Sequence, residues 1–398
     1  MITPRLPQTP TNGVTSRKRI AIMLDLDWPY RRHFDIFVGT QQFANEHGWE
    51  CVIDEFADVT LRTEPARYDG VLGRVSSALA KAAKAHNVPV VNVWFNSPVA
   101  PAMPGVFPDF SESGRLAAEH LLERGFRHFA CLSGTGDRAQ RMELDAFHET
   151  IGKRGHTCSC AVVERQYAKD ARVWKQFKRT ISRWIAQWQP PTGVYVTFPD
   201  ATGRHIAEAA REHSLAIPEQ VALVVNENDP VLCQHPSPSL SSIDIPYNAI
   251  GYQAASILNA LMNGQPVQQP LQFMEPAGIT ARQSTDFLAV DDELVATALR
   301  WISKLAHQPI GVDDVCRASF AGRRTLERRF SRVLGRTVAE EIQRLRLERA
   351  KRELAHAGTP IKQVARLAGF KDAKRLHEVF VREIGQSPSS YRERLKLR

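Results

Sequence analysis

Val312-Asp-Asp-Val-Cys-Arg-Ala-Ser319, a short turn and Arg323-Arg-Thr-Leu-Glu-Arg-Arg-Phe330 make one unit near the C-terminus. Ile361-Lys-Gln-Val-Ala-Arg-Leu-Ala368, a Gly-Phe turn and Lys374-Arg-Leu-His-Glu-Val-Phe380 repeat it about fifty residues later. In each unit a short helix with apolar residues at i and i+3 enters a tight turn. A second helix follows, with Leu326 and Phe330, or Leu376 and Phe380, turned inward and charged residues outward. Apolar residues four apart share one helix face, so each such helix has a buried stripe and a solvated side. That is the sequence form of a helix-turn-helix, whose second helix enters the DNA major groove. Two copies can present two such helices to one face of a duplex.

Charge follows the same division. From Asp291 onward there are 24 Lys/Arg and 14 Asp/Glu, a net +10, whereas residues 1–290 hold 28 and 29, a net −1. The formal +9 of the whole chain is thus confined to the segment that carries the repeat. Basic residues on ordered amphipathic helices neutralise phosphates and release counterions, which implies double-stranded DNA as a partner rather than a membrane surface.

A chain of 398 residues exceeds one ordinary core and predicts two or three domains. Residues 1–17 are polar, with Pro4, Pro7 and Pro10, and read as a disordered tail without the apolar core of a signal peptide. No run of eighteen apolar residues occurs, so a cytoplasmic protein with no membrane partner is expected. The six cysteines, at 51, 131, 158, 160, 233 and 316, form no CxxC pair and no ligand-spaced cluster with histidine. Neither zinc nor a disulfide framework is expected, no cofactor is implied, and Cys158-Ser-Cys160 reads as incidental, in a loop or strand end. His148-Glu149 lacks the second histidine of a zinc-protease helix, and Ser133-Gly-Thr-Gly136 is only a lone GxG turn. No catalytic constellation competes, so no enzyme is expected.

Upstream of the repeat, strands and helices alternate. Lys18–Leu24, Glu50–Asp54, Tyr68–Gly73 and Val88–Trp94 read as strands, with helices over about Arg32–His47 and Ser77–His86 between them. A second series begins with a helix at Gly114–Arg124 and a strand at Phe126–Ser133, then a helix at Met142–Arg154 and a strand near Ala161–Glu164. Helices over Ala171–Trp188, Ala201–His213 and Asn248–Asn263, with strands between, complete it. This rhythm predicts two Rossmann-like lobes with mostly parallel sheets across residues 18–283. Residues 284–290 read as a linker, and 291–398 as wholly helical, with Val338–His356 joining the two reading heads.

The C-terminal hundred residues resemble the AraC family of transcription activators. The matches are Leu326-Glu-Arg-Arg-Phe330, Leu334-Gly335, Arg346, Ala350, Leu354, Ile361, Val364-Ala365, Gly369-Phe370, Phe380, Gly385, Pro388 and Tyr391-Arg392, all at preserved spacing. Two positions depart: Gly322 replaces the Ser usual at the start of the first recognition helix, and Leu376, after Arg375, replaces the aromatic usual in the second. Residues 18–283 resemble the effector module of LacI-type regulators, a type I periplasmic-binding-protein-like fold. Asp109, Gly114-Arg-Leu-Ala-Ala-Glu-His-Leu-Leu-Glu-Arg-Gly125, Arg141 ahead of Phe147, Asp200, Ile217-Pro218 and Gly251-Tyr-Gln-Ala-Ala255 carry that likeness. A module of this kind followed by an AraC-type head resembles the xylose-operon activator group. The resemblance implies a sugar-responsive regulator, an activator rather than a repressor, with a pentose as effector, RNA polymerase as a partner and a homodimer as the working unit. A transport-type binding protein would explain residues 18–283 but not the basic head.

Ligands of open α/β sheets sit beyond the carboxyl ends of the strands. Those ends supply Asp25, Asp27, Trp28, Tyr30, Arg74, Trp94, Asp109, Arg138, Arg141, Asp200 and Asn228. Carboxylates and guanidiniums suit hydroxyls, and aromatic faces suit sugar C–H surfaces. Asp200 and Arg141 are expected on hydroxyls, with Trp28 or Trp94 stacking, although a strand-end Asp serves as well to cap a helix. Asn228 stands where the LacI-type pattern often has Asp. At the DNA, Arg324, Glu327 and Arg328 face outward from the first recognition helix, and Ala373, Lys374, His377 and Glu378 from the second. Arg323 and Arg332, with Arg329, suit phosphates or serve as helix-surface charge. The arginine-rich first face is expected to dominate affinity.

Overall fold

A computed structural model describes residues 17–26, 31–164, 170–198, 201–234, 237–290, 292–355 and 359–396. The first lobe contains β1 (Arg19–Met23), α1 (Arg31–His47), β2 (Glu50–Ile53), α2 (Ala57–Thr63), β3 (Gly70–Gly73), α3 (Ser77–Ala85), β4 (Val90–Asn92) and β5 (Gly105–Pro108). The chain then crosses into the second lobe. There it forms α4 (Phe110–Glu123), β6 (His128–Gly134), α5 (Arg138–Gly152), β7 (Cys158–Val163), α6 (Ala171–Ile185) and β8 (Thr192–Val196). The lobe continues with α7 (Thr202–Glu212), β9 (Val221–Val225), α8 (Pro230–Gln234) and β10 (Ser241–Ile243). α9 (Tyr247–Met262) and β11 (Leu271–Met274) return to the first lobe, and β12 (Ile279–Thr280) rejoins the second.

Sheet order confirms two lobes and corrects their sequential division. The first sheet runs β11-β5-β4-β3-β1-β2 and the second β12-β10-β9-β8-β6-β7. β11 lies parallel to β5, whereas β12 is antiparallel to β10. The chain therefore passes between lobes three times, after β5, after β10 and after β11. α9 belongs to the first lobe through its packing on α1, where two glycines make the approach possible. A Cβ on Gly39 would lie 1.8 Å from the Asn248 carbonyl oxygen, and one on Gly251 2.0 Å from that of Ile36. Central strands such as Val221–Val225 are buried along their length, as parallel strands covered on both faces must be.

The head comprises α10 (Glu293–Leu305), α11 (Val312–Ala318), α12 (Arg323–Leu334), α13 (Val338–Ala355), α14 (Ile361–Leu367), α15 (Ala373–Ile384) and α16 (Pro388–Lys396). The internal repeat extends to its helix ends. Gly335 and Gly385 follow α12 and α15 with φ of 68° and 76°, the left-handed stop that glycine favours. Thr337 caps α13 in a reciprocal box with Glu340, and Ser387 accepts from the Ser390 amide at 3.1 Å at the matching point.

Residues 284–290 are packed against their surroundings. Ser284 and Thr285 are fully buried, and the Ser284 hydroxyl bonds the Leu223 carbonyl at 2.5 Å. The Ala289 amide bonds the Arg124 carbonyl at 2.7 Å, and Ala289 lies so close to Gly125 that no Cβ fits there. One apolar core continues from both lobes through Phe287 into α10, α11, α12 and the start of α13. The second reading head has a separate core around Leu347, Leu354, Val364, Leu376 and Phe380. α13 contributes to both.

Candidate ligand cleft and nucleic-acid interface

The carboxyl ends of the first sheet bring several expected residues together. Asp25 follows β1 and Arg74 follows β3, and the two pair at 3.5 Å. The Arg74 guanidinium also lies 4.8 Å from the Trp94 ring centroid, so one cation joins a carboxylate and an aromatic face. Asn92, wholly buried, fixes this wall by accepting from the Val75 and Trp94 amides and donating to the Trp94 carbonyl. His33 lies 2.6 Å from the Asp25 carbonyl, and burial pushes its pKa down to about 4. Asp27, Trp28, Tyr30 and Asp200 fall outside the described residues.

Across the cleft, Arg138 and Arg141 lie exposed at the start of α5. Arg138 stands 5.0 Å from the Phe95 ring of the first lobe. The lobes also meet through Asn96, which sequence reasoning missed. Its amide donates to Asp137 at 2.9 Å and accepts from the Arg138 amide at 3.0 Å. Asp137 in turn caps α5 by accepting from the Gln140 amide at 3.1 Å. A first-lobe side chain thus satisfies the N-terminus of a second-lobe helix. Asp109 takes the bland role available to a strand-end carboxylate, capping α4 through the Glu112 amide at 2.9 Å. It lies at the first crossover, where its own amide bonds the Met274 carbonyl at 2.8 Å.

Asn228 is held from below. Its Oδ1 accepts from Arg282 and from the Ser242 hydroxyl, and Arg282 also donates to the Leu240 carbonyl at 2.8 Å. Arg282 was not singled out in the sequence, nor were Glu143 and Glu227. Glu143 is almost fully buried, receives the Tyr195 hydroxyl at 3.1 Å and the Asn226 amide, and burial raises its carboxyl well above the usual range. Its signal was an acid on the apolar stripe of α5, in line with Ala139 and Phe147. Glu227 also has a raised pKa, chiefly from burial and against the pull of Arg32 and the Tyr247 hydroxyl, and its Oε1 is buried without a hydrogen-bond partner among the described residues. A buried acceptor left unpaired is costly, and a ligand hydroxyl would satisfy it. Opposite, Asp35 is raised first by burial and further by Asp229, against the pull of Arg31. The carboxyl ends of the strands thus gather acceptors, arginines and the partly buried rings of Trp94, Phe95 and Phe110. That chemistry suits a neutral polyol.

Sequence reasoning expected no cysteine–histidine cluster, and the structure corrects this. Cys131, His148, Cys158 and Cys160 place their ligand atoms within 4.8 Å of one another. The strand expected near Ala161–Glu164 begins earlier, at Cys158, so Cys158 and Cys160 take the strand end, one of the two places the sequence left open.

In the head, Leu326 and Phe330, then Leu376, Val379 and Phe380, are buried as expected. Arg323, Arg324 and Arg328 are exposed on α12, as are Lys374, His377 and Glu378 on α15, with Ala373 partly covered. Glu327 is half-buried and accepts from the Val338 amide at 3.3 Å, which ties α12 to α13. Arg323 pairs with Asp313 at 3.1 Å. Arg329 and Arg332 turn toward Asp292, at 2.6 and 3.7 Å, at the edge of α12 nearer the junction with the lobes. Leu376 fills the core where an aromatic is usual, and Asp372 caps α15 through the Arg375 amide at 2.7 Å. Arg346, one of the matched positions, bonds the carbonyls of Ala306, Gln308 and Ile310 at 2.8–3.0 Å and anchors α13 to the end of α10.

Comparison with known proteins agrees with both halves. Residues 118–285 match the periplasmic binding protein-like domain, and residues 315–394 a helix-turn-helix domain. The xylose operon regulatory protein of Haemophilus influenzae is 25% identical over 382 residues, spanning 94% of this chain and 98% of that protein. Its counterpart from Escherichia coli K12 is 25% identical over 395 residues, spanning 95% and 98%. The regulatory protein SoxS of Salmonella typhimurium is 33% identical over 103 residues, 26% of this chain and 96% of its own length. In fold, the chain resembles the solved xylose-binding transcription activator xylR, with a TM-score of 0.68 and 24% identity over 95% of this chain and 98% of that one. No helix among the described residues is long and apolar enough to cross a membrane. The chain belongs to the xylose-operon activator group of DNA-binding transcription regulators, with a periplasmic-binding-protein-like domain ahead of an AraC-type double helix-turn-helix domain.

Proposed function

We propose that this chain activates transcription when a small sugar, a pentose such as xylose, occupies the cleft between its lobes. Residues 18–283 form the effector unit and 291–398 the DNA-binding unit, working in the cytoplasm as a homodimer that contacts RNA polymerase. The carrying observation is the buried Glu227 Oε1, just beyond the carboxyl end of β9 and without a hydrogen-bond partner among the described residues, in a two-lobed domain whose apolar core continues into the first reading head. Asp25, Arg74, Arg138, Arg141 and Asn228 bind or orient hydroxyls, and Trp94 packs on the sugar ring. Asp27, Trp28, Tyr30 and Asp200 complete the site, while Asp109 sets the crossover. The exposed apolar residues Phe34 and Val38 on α1, with Phe56 and Val59 at α2, support a dimer contact. Arg324 and Arg328 read base edges; Arg323, Arg332 and Lys374 hold phosphates; Glu327, Ala373, His377 and Glu378 shape the two faces.

A ligand shifts such an equilibrium only by its differential affinity for the two states. Pentoses should therefore raise the melting temperature of the full chain and change both operator affinity and promoter output. A panel of monosaccharides that moves none of the three would refute the reading. Arg328→Ala should cost about 1–3 kcal/mol at one cognate base pair, measured against operators substituted there. A uniform loss on all sequences would make Arg328 a phosphate contact instead.

A further inference from the structure

β6 and β7 lie side by side in parallel, with Cys131 opposite Cys160. Side chains alternate along a strand, so Cys158 and Cys160 share a face. It is the face toward α5, since Ala130, Leu132, Ala161 and Val163 point the other way into the core around α6 and α7. α5 crosses that face and carries His148 next to the buried Phe147. The His148 Nε2 lies 3.0 Å from the Cys160 sulfur and 3.3 Å from that of Cys131, and those two sulfurs are 3.1 Å apart. Three elements thus deliver three thiols and one imidazole to one point at the edge of the second sheet.

We propose that Cys131, His148, Cys158 and Cys160 form a closed, four-coordinate zinc(II) site of the Cys3His type. Zinc takes thiolate sulfur at about 2.3 Å and imidazole nitrogen at about 2.0–2.1 Å in a tetrahedron, which sets ligand atoms roughly 3.6–3.8 Å apart. All four ligand atoms already lie within 4.8 Å of one another, so shifts of an ångström or less complete the geometry. A disulfide explains the cluster less well, because it would use two sulfurs and leave a third thiol and the imidazole together. Four protein ligands leave no open position, so the ion would be structural rather than catalytic. It would fasten the edge strand β7 to β6 and to α5. The far end of α5 carries Asp137 and Arg138 at the cleft, so the ion would also fix the setting of that helix toward the ligand.

The test is metal analysis of the full chain, purified with zinc and a reductant and then desalted. One equivalent of zinc per chain is expected. Replacement by cobalt(II) should give sulfur-to-metal charge transfer in the near ultraviolet and the intense ligand-field bands of a tetrahedral site. Cys160→Ser and His148→Gln, both at positions that are not fully buried, should each lower zinc affinity at least about tenfold while the folded chain still binds DNA. Zinc should raise the melting temperature of the wild type and not of the variants. Less than one tenth of an equivalent in protein with reduced thiols would overturn the proposal. So would a disulfide among these cysteines under reductant, an octahedral cobalt spectrum, or equal zinc binding by wild type and both variants.

Discussion

Phe320 is a residue whose backbone conflicts with its type. It stands in the turn of the first reading head at φ 50°, with its side chain 98% exposed. The second head has Gly369 at the matching point, at φ 85°, where a Cβ would also meet the Ala306 carbonyl oxygen at 2.5 Å. A left-handed conformation costs an ordinary residue about 1–2 kcal/mol, part of which glycine loses again through its freer unfolded chain. Phe320→Gly should thus stabilise the protein by roughly 0.5–1 kcal/mol, read as a higher denaturation midpoint. A lower midpoint would mean that the ring packs on something. Two histidines set the acid limit. Burial lowers His33 to about 4, and burial followed by the Arg124 charge lowers His120 to about 3. Arg124 can only donate, so the His120 Nδ1 must accept from it at 3.1 Å, and Nε2–H donates to the Thr285 hydroxyl at 2.9 Å. Both rings are neutral in the fold and protonate near pH 6.5 when unfolded. Their stabilisation is complete above about pH 6.5 and is lost as pH falls toward 4, by roughly 3 kcal/mol for His33. Melting temperatures should begin to drop below pH 6.5, before most carboxylates titrate, and His120→Gln should flatten the drop. A level profile from pH 7 to 5 would contradict this assignment.

The α1–α9 crossing depends on a pair of opposed glycines. Gly39 and Gly251 each let the other helix's backbone approach to where a Cβ would stand, and the Thr40 hydroxyl reaches the Gly251 carbonyl at 3.3 Å. Gly251→Ala should cost about 1–3 kcal/mol as the helices part, measurable by urea denaturation. A neutral result would mean that α9 can slide without loss. Elements of this kind were legible to different degrees. The reading heads were plain because a four-residue apolar spacing and a glycine stop repeat in both. Buried parallel strands such as β1, expected over Lys18–Leu24, were plain because both faces demand apolar residues. Short elements with mixed neighbours were not: α2, β5 and β10 carry too few residues to show a period. β7 begins with Cys158-Ser-Cys160, which lacks the apolar run of a buried strand, so its start was placed late and the shared face of two cysteines went unseen. The return of α9 to the first lobe was also hidden, since only sheet order reveals it. Strand ends and helix starts were enough to single out Asp25, Arg74, Trp94 and Arg138 as candidates. Asn96, Glu143, Glu227 and Arg282 were not singled out, because their roles arise from contacts between distant segments.

The two reading heads are joined to the lobes unequally, and the junction offers a path along which a change in the lobes can reach them. The first shares a continuous core with the lobes, whereas the second has its own core and is carried by α13. Where α13 meets the junction, Glu341 is buried to 2% exposure between Arg336 at 2.5 Å and Arg344 at 2.8 Å. Burial alone would raise the Glu341 carboxyl, but the pairs with Arg344 and Arg336 outweigh it and hold it below the usual range. Arg344 also reaches Asp286 at 2.9 Å, and the next segment back, Thr285, receives Arg124 of α4 at 2.9 Å. A chain of charge and hydrogen bonds therefore runs from the second lobe to the helix that carries both heads. Removing Arg344 should cost about 2–3 kcal/mol of stability, less than a fully stranded buried charge because Arg336 still pairs with Glu341. Asp286→Asn is the sharper test, since it weakens only the contact to the lobes and leaves Glu341 paired. Basal operator affinity and sugar affinity should stay near wild type in that variant, while the change in operator affinity on adding sugar shrinks severalfold. Coupling between two sites is reciprocal, so the effect of DNA on sugar affinity should shrink by the same factor. If Asp286→Asn leaves both couplings intact, control must travel through the shared apolar core around Phe287, and Phe287→Ala should then remove it.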